Sequence, residues 1–240
     1  MAIDTRSSAL PAGRNTPLLT KLLHSSVRAG FRTAYRQVRL DSDKYLIHVR
    51  RVYRLPIENW QDVHQLDEAV LRSPADRVIA ASAKAAALEG MGLGIGGIST
   101  ILPDMGILSA ITVRMLQKLS LIHGYEYSTD EEVMALWLAA ASAAGLDLTR
   151  EFLEKRVVEH VVPRVIDLIA VKVGAEVAEK WIGRVLPVVS AGTAGVLNYY
   201  FIRGWGRRAQ SHFLARRRAL PGDTAPARDL SSSTSFADAI

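Results

Sequence analysis

The chain contains no cysteine, which excludes disulfides, thiolate zinc sites and cysteine-based redox or nucleophilic chemistry and makes a reducing compartment its natural setting. Aromatic residues are sparse at 7%, too few and too scattered to form a basic face with interleaved stacking side chains, and no nucleic-acid partner is expected. No run alternates apolar and polar residues at period two between turn signals, which argues against a sheet protein. Residues 1–19 hold no uninterrupted apolar stretch and carry Asp4, so a secretory signal is not expected. The sequence also lacks GxxxxGK[ST], GxSxG and HExxH, the signatures of a phosphate loop, a nucleophile elbow and a zinc protease. Its histidines, His24, His48, His64, His123, His160 and His212, are dispersed, none with a second histidine one helical turn away. No cofactor, no metal and no catalytic residue is therefore expected.

What the chain does have is length, apolar content and an uneven positive charge. With 240 residues, 49% of them apolar, it can bury a full core. The net charge of +6 points to an anionic partner. Residues 21–54 carry nine Lys or Arg against two Asp, residues 128–183 are net acidic, and Arg203 to Arg218 holds six arginines and no acid.

Helical spacing dominates the rest. Leu23, Val27, Phe31, Ala34 and Val38 form one stripe of a helix over residues 22–38, with Arg28, Arg32 and Arg36 a turn apart on another. This basic amphipathic helix is either a surface helix with a solvated arginine row or an attachment to acidic lipid. Residues 62–73 read as a charged helix ended by Ser73-Pro74, and residues 75–89 as an alanine-rich one. Asp62, His64, Asp67 and Glu68 are the one local set with metal-ligand chemistry, but a solvated, salt-bridged surface helix is the preferred explanation of them. Pro103 and Asp104 suit the first turn of a helix whose apolar face is Ile107, Leu108, Ile111, Met115, Leu119 and Ile122, opposite Arg114, Gln117 and Lys118, with Gly124 as its stop. Ser128 to Glu132 has capping-box spacing and starts a helix that Gly145 ends. Thr149 is positioned to cap a helix through Val161, with Pro163 breaking or kinking it before Val165–Trp181. Val185 to Ile202 is eighteen residues without a charge, at the lower edge of a membrane span but rich in small residues, so it reads as a buried helix or hairpin or as an inserted one.

The most informative stretch runs from Gly90 to Tyr125. Its glycines Gly90, Gly92, Gly94, Gly96 and Gly97 would cost a helix about 4 to 5 kcal/mol relative to alanine. Either the backbone leaves the helical form and a ligand approaches it, or another helix or lipid packs against a surface without side chains. The match to GxGxxG is discounted, because no strand precedes it and no acidic residue follows at the required distance.

Taken together, Gly92-x-Gly94-x-Gly96-Gly97-x-x-Thr100-x-Leu102-Pro103-Asp104, then Arg114-x-x-Gln117, His123-Gly124-Tyr125, Gly183-Arg184-x-x-Pro187-Val188-Val189, Asn198-Tyr199 and Gly206-Arg207-x-Ala209 closely resemble the EcsC family, in the family's order and over Ala75 to Phe213. The resemblance implies a bacterial, mostly helical protein without an assigned catalytic mechanism. The family's name comes from an exporter locus of the ABC type, which implies membrane-related work. Ser190 stands where many relatives have glycine, and many have a longer segment before the Pro187 block.

The expectation is an all-α, single-domain helical bundle with a glycine-rich helical hairpin. Its parts are a disordered N-terminus (1–16), a basic amphipathic extension (17–55), an EcsC-like helical domain (56–218) and a disordered tail (219–240). Gly92, Gly94, Gly96, Gly97, Pro103, Asp104, Arg114, Gln117, Pro187 and Asn198 are candidates for a pocket or helix contact, with an ordinary solvated helix face the preferred reading of Arg114 and Gln117. Arg28, Arg32, Arg36, Arg207 and Arg208 are candidates for contact with an anionic surface. The expected function is non-enzymatic, at the cytoplasmic membrane surface, on lipid or on a membrane-protein partner. The alternative is an enzyme or small-ligand protein with a pocket near the glycine-rich turn and Asp104.

Overall fold

The first long apolar stripe of the chain forms α1 (Thr16–Gln37) and buries Val27, Phe31 and Ala34. A computed structural model describes residues 16–93, 101–146, 148, 158–182 and 191–219. After α1, the Asp41 side chain accepts from Lys44 N at 3.0 Å and caps α2 (Ser42–His48). A π-helical turn (Val49–Tyr53) follows, and the chain leaves it through Arg54 at φ 56°, the one non-glycine residue with positive φ among those described. Leu55, Ile57 and Trp60 are buried, and a short 3-10 helix (Gln61–Gln65) leads to α3 (Glu68–Leu93).

Here the structure departs from the expected helix over residues 62–73. Asp62 is used in a turn, accepting from the amides of Glu58 and Asn59, and Asp67 accepts from Ala69 N at 2.7 Å, starting α3 afresh. Pro74 does not break that helix. A proline inside a helix removes one backbone bond and costs about 3 kcal/mol. The offset is burial: Leu71, Ala75, Val78, Ile79, Ala83 and Ala86 all lie in the core. Gly90 and Gly92 continue α3, while Gly94, Gly96 and Gly97 lie outside the described residues.

Helix α4 (Ile101–Ile122) opens with Pro103 and Asp104 in its first turn and closes before Gly124, which sits at φ +84°. Helix α5 (Asp130–Ala143) begins at a full capping box between Thr129 and Glu132 and ends before Gly145 at φ +76°. Helix α6 (Val158–Ile182) runs through Pro163, which ends no helix; Thr149 lies outside the described residues. Helix α7 (Ala191–Ala219) carries Asn198 and the whole arginine block. Of the uncharged segment Val185–Ile202, residues 185–190, with Pro187, lie outside the described residues, and the remainder is the start of α7. The segments expected to be disordered, 1–16 and 219–240, lie outside them as well, apart from Thr16 and Ala219.

These seven α-helices, with no strand among the described residues, form one bundle. Helix α3 packs on α7 and α4, α1 on α6 and α4, and α5 on α6 and α7. Contacts give the directions. Gly30 meets Met105 and Ser109, whereas Val38 and Leu40 meet Gln117, so α1 and α4 run the same way. Gly195 meets Ala87 and Met91, Gly206 meets Ile79 and Arg218 meets Glu68, so α7 runs opposite to α3. Helices α3 and α4 pack together on either side of the glycine-rich segment, as the arms of a hairpin do. A single core joins Val27, Phe31 and Tyr45 to Trp137, Trp205 and Phe213, so α1 is a layer of the bundle and not an appendage to it.

Candidate functional site

The two ends of the bundle are chemically different. At the end where α4 and α7 finish, polar and aromatic side chains interlock. The Gln117 amide donates to Val38 O at 2.8 Å and accepts from Leu40 N at 3.2 Å, holding the α1–α2 connection. This corrects the reading of Gln117 as part of a solvated face: it is 5% exposed, whereas its neighbour Arg114 is exposed. Lys118 lies with its ammonium 5.8 Å from the Tyr45 ring centre, and burial, then Arg114, lowers its pKa. Tyr127 donates to Leu40 O at 2.8 Å, and burial raises its hydroxyl to about 12.

His64 faces Gly124 O at 3.0 Å, and a Cβ on Gly124 would come within 2.8 Å of the same ring. His123 places Nδ1 2.7 Å from Leu119 O, so Nδ1 carries the proton, and its ring stacks on Phe213 at 5.6 Å. Burial first, with Arg217 acting in the same direction, pushes the His123 pKa down to about 4. The buried Arg217 donates to the carbonyls of His64 and Leu66, Arg216 lies 4.6 Å over the Tyr125 ring, and Arg218 pairs with Glu68. Arg217 and Arg218 thus hold α7 against the start of α3, and Arg216 holds it against the segment that follows α4.

At the opposite end the contacts are made by small residues. A Cβ on Gly30 would lie 2.6 Å from Ser109 Oγ and 2.9 Å from Met105 O, and one on Gly195 would lie 2.6 Å from Ala87 O. Backbones approach this closely only where no side chain intervenes. Beside the α1–α4 approach lies an open groove of ≈ 670 Å³, lined by residues that include Ser25, Ala29, Thr33, Gly106, Ile107 and Ala110. Its size falls within the range of small-molecule sites. The backbone of Pro103 and Asp104 leads into the turn that supplies Gly106, although their side chains are outside the described residues.

The remaining candidates are dispersed. Arg28 and Arg32 both reach Asp167 of α6, at 3.1 and 3.0 Å, while Arg36 is exposed. Arg208 donates to Ala143 O, tying α7 to the end of α5, and Arg207 is exposed. Asn198 is buried on α7. No three metal-ligating side chains converge among the described residues, and Asp62, His64, Asp67 and Glu68 turn to separate partners. Gly206 entered the sequence reading only through the family resemblance and Gly195 only as one of the small residues of Val185–Ile202, while Gly30 and Asp167 did not enter it. The glycines carry a weak signal, since each interrupts a helical pattern at a cost of about 1 kcal/mol, and Asp167 carries none.

Among the described residues, Met105–Ile122 is the one helical window long and apolar enough to cross a membrane, and 67% of it is buried within the bundle. A packed core helix passes the same test.

By fold, then, the molecule is an all-α bundle knit by arginine-to-backbone contacts at one end and small-residue contacts at the other. The chain belongs to the EcsC protein family, whose family model matches residues 13–218. That match starts ahead of α1 and includes the whole basic helix. No curated protein and no solved structure matches the chain.

Proposed function

We propose that this EcsC protein is a non-enzymatic helical protein that docks on the cytoplasmic face of a membrane, using anionic lipid and a membrane-protein partner of the exporter type. The observation that carries the reading is the positive charge left over after internal pairing. Arg28, Arg32, Arg208, Arg217 and Arg218 have partners within the bundle. Arg36, Arg39, Arg50, Arg51, Arg54 and Lys84 are exposed, and none of them is in an ion pair among the described residues. A basic residue close to an anionic leaflet contributes about 1 kcal/mol, so a handful hold a protein there at moderate salt. The test is fractionation of the full-length protein from its own cells. Release of the membrane pellet by high salt supports peripheral docking. Retention through alkaline carbonate replaces it with insertion, and recovery wholly in the soluble fraction overturns the membrane reading.

The α1–α4 groove favours a second reading, a small-ligand or enzymatic pocket beside Asp104. Asp104→Ala separates the two. Loss of a ligand-dependent thermal shift with the fold retained supports a pocket, while a loss of about 1 kcal/mol of stability alone assigns Asp104 to capping α4.

A further inference from the structure

We infer that the outer face of the α3–α7 pair is the surface that meets the bilayer, with the small-residue end of the bundle deepest; this rests on the membrane reading above. Two rows of side chains define the face. On α3, Arg77, Ala81, Lys84 and Leu88 recur at helical spacing and are exposed. On α7, Val196, Tyr200, Arg203 and Arg207 do the same, all exposed except the half-buried Arg203. Each row flanks the line of contact between the two helices, on the side away from their buried residues Ile79, Ala83 and Ala86 or Ile202, Trp205 and Ala209.

The antiparallel register set by Gly195 against Ala87 and Met91, and by Gly206 against Ile79, brings the rows level with each other. Val196 stands beside Leu88, Tyr200 beside Lys84, Arg203 beside Ala81 and Arg207 beside Arg77. The polarity therefore grades along the face. At the small-residue end Leu88 is 67%, Val196 54% and Met91 40% exposed, an apolar cost in water that a bilayer removes. One turn further back come Tyr200, 67% exposed, and Lys84, and then Arg203, Arg207 and Arg77. Neither row contains an acidic residue, and Lys84 and Arg207 are in no ion pair among the described residues.

That order, apolar tip, then tyrosine, then basic belt, matches the order of acyl chain, interface and anionic headgroup from the inside of a leaflet outward. A binding surface for a soluble anionic protein would need the charge but not the exposed leucine and valine at one edge. On the α1 face Asp167 pairs with both Arg28 and Arg32 and offsets one of their two charges.

The absence of cysteine makes the test direct. Leu88→Cys, Val196→Cys and Ile47→Cys are each introduced into the full chain and labelled with an environment-sensitive fluorophore. Ile47 is 62% exposed on α2 and belongs to neither row. The proteins are mixed with vesicles of phosphatidylcholine plus phosphatidylglycerol and with vesicles of phosphatidylcholine alone. The expected result is a blue shift at positions 88 and 196 with the anionic vesicles and none at position 47. Lys84→Gln combined with Arg207→Gln should lower vesicle partitioning about 25-fold, roughly fivefold for each charge removed. Leu88→Ser should lower it by about tenfold. Binding of all three labelled proteins with a shift only at position 47 overturns the assignment of the face and leaves the membrane reading standing. Failure of the unlabelled wild-type chain to sediment with anionic vesicles overturns both.

Discussion

The end of the bundle built on Gln117, His123 and Arg217 and the end built on Gly30 and Gly195 solve the same packing problem with opposite means. The first joins helices by long side chains that satisfy backbone groups across large separations in sequence, as Arg217 does for the His64 and Leu66 carbonyls. The second joins them by removing side chains, so that α7 meets the backbone of α3 at Ala87. The lesson is that the polar end depends on individual partners whose loss leaves buried groups unsatisfied, whereas the small-residue end depends on shape and is damaged by addition. The polar end also commits Arg217 and Arg218 to partners within the bundle.

The largest expected effect is at the polar end. Arg217→Ala leaves two carbonyls without their donor and opens a cavity beside Phe213, and it should lower unfolding free energy by about 3 kcal/mol or more. Urea denaturation measures this, and a midpoint unchanged from wild type would remove the distinction between the two ends. Arg217→Lys should recover only part of the loss, since the shorter lysine side chain does not carry its ammonium to the position of Arg217 Nη2, which donates to both carbonyls.

Next comes acid sensitivity. The folded-state pKa of His123, about 4, lies below its ordinary value of 6.5, so the unfolded chain binds the proton more readily. Its contribution to stability is complete above about pH 6.5, declines as pH falls toward 4 and amounts to about 3 kcal/mol lost by then. The check is stability against pH for wild type and His123→Gln. The variant should lose that part of the slope, whatever Glu68, held below the usual carboxylate range by Arg218, adds at still lower pH. Equal slopes would show that the ring is not shielded by the α4–α7 contact.

The small-residue end should respond to added bulk. Gly195→Ala puts a methyl 2.6 Å from the Ala87 carbonyl and at the same distance from Met91 Cγ. The carbonyl cannot yield as a side-chain tip does, and a loss of about 2 kcal/mol is expected. A neutral result would mean that α3 and α7 separate readily there. The smallest effect has the opposite sign. Gly106, also in a helix, would place a Cβ in open space, so Gly106→Ala should stabilise the protein by about 0.5 to 1 kcal/mol. Thermal unfolding of this pair separates glycines kept for contact from those that merely line the groove.

Much of the fold was legible because its signals are local. The capping box at Thr129 and Glu132 and the stops at Gly124 and Gly145 act within one turn of their own helix, and each appears where the pattern places it. Pro74 misled for a related reason, and of the break or kink expected at Pro163 the helix shows no break. Pro74 and Pro163 carry a local penalty, but their helices persist because that penalty is smaller than the apolar burial it would forfeit. Gln117 was read as solvated from its neighbours Arg114 and Lys118, although helical position does not reveal that the α1–α2 connection crosses that face. Of the candidate site, the glycine-rich segment was conspicuous in the sequence, whereas the α1–α4 groove beside it requires Gly30, distant in the chain, to meet α4.

Composition and periodicity by themselves determined that the chain is helical, where most of its helices start and stop, that thiol chemistry is absent and that positive charge is in excess. Only the tertiary structure decided which of those charges remain available. The partner of an arginine is chosen by the packing of helices and not by spacing: Arg32 finds Asp167 across 135 residues and Arg218 finds Glu68 across 150. No pattern within a single helix encodes a contact of that range, because the side chains meet only after the apolar stripes have brought their helices together.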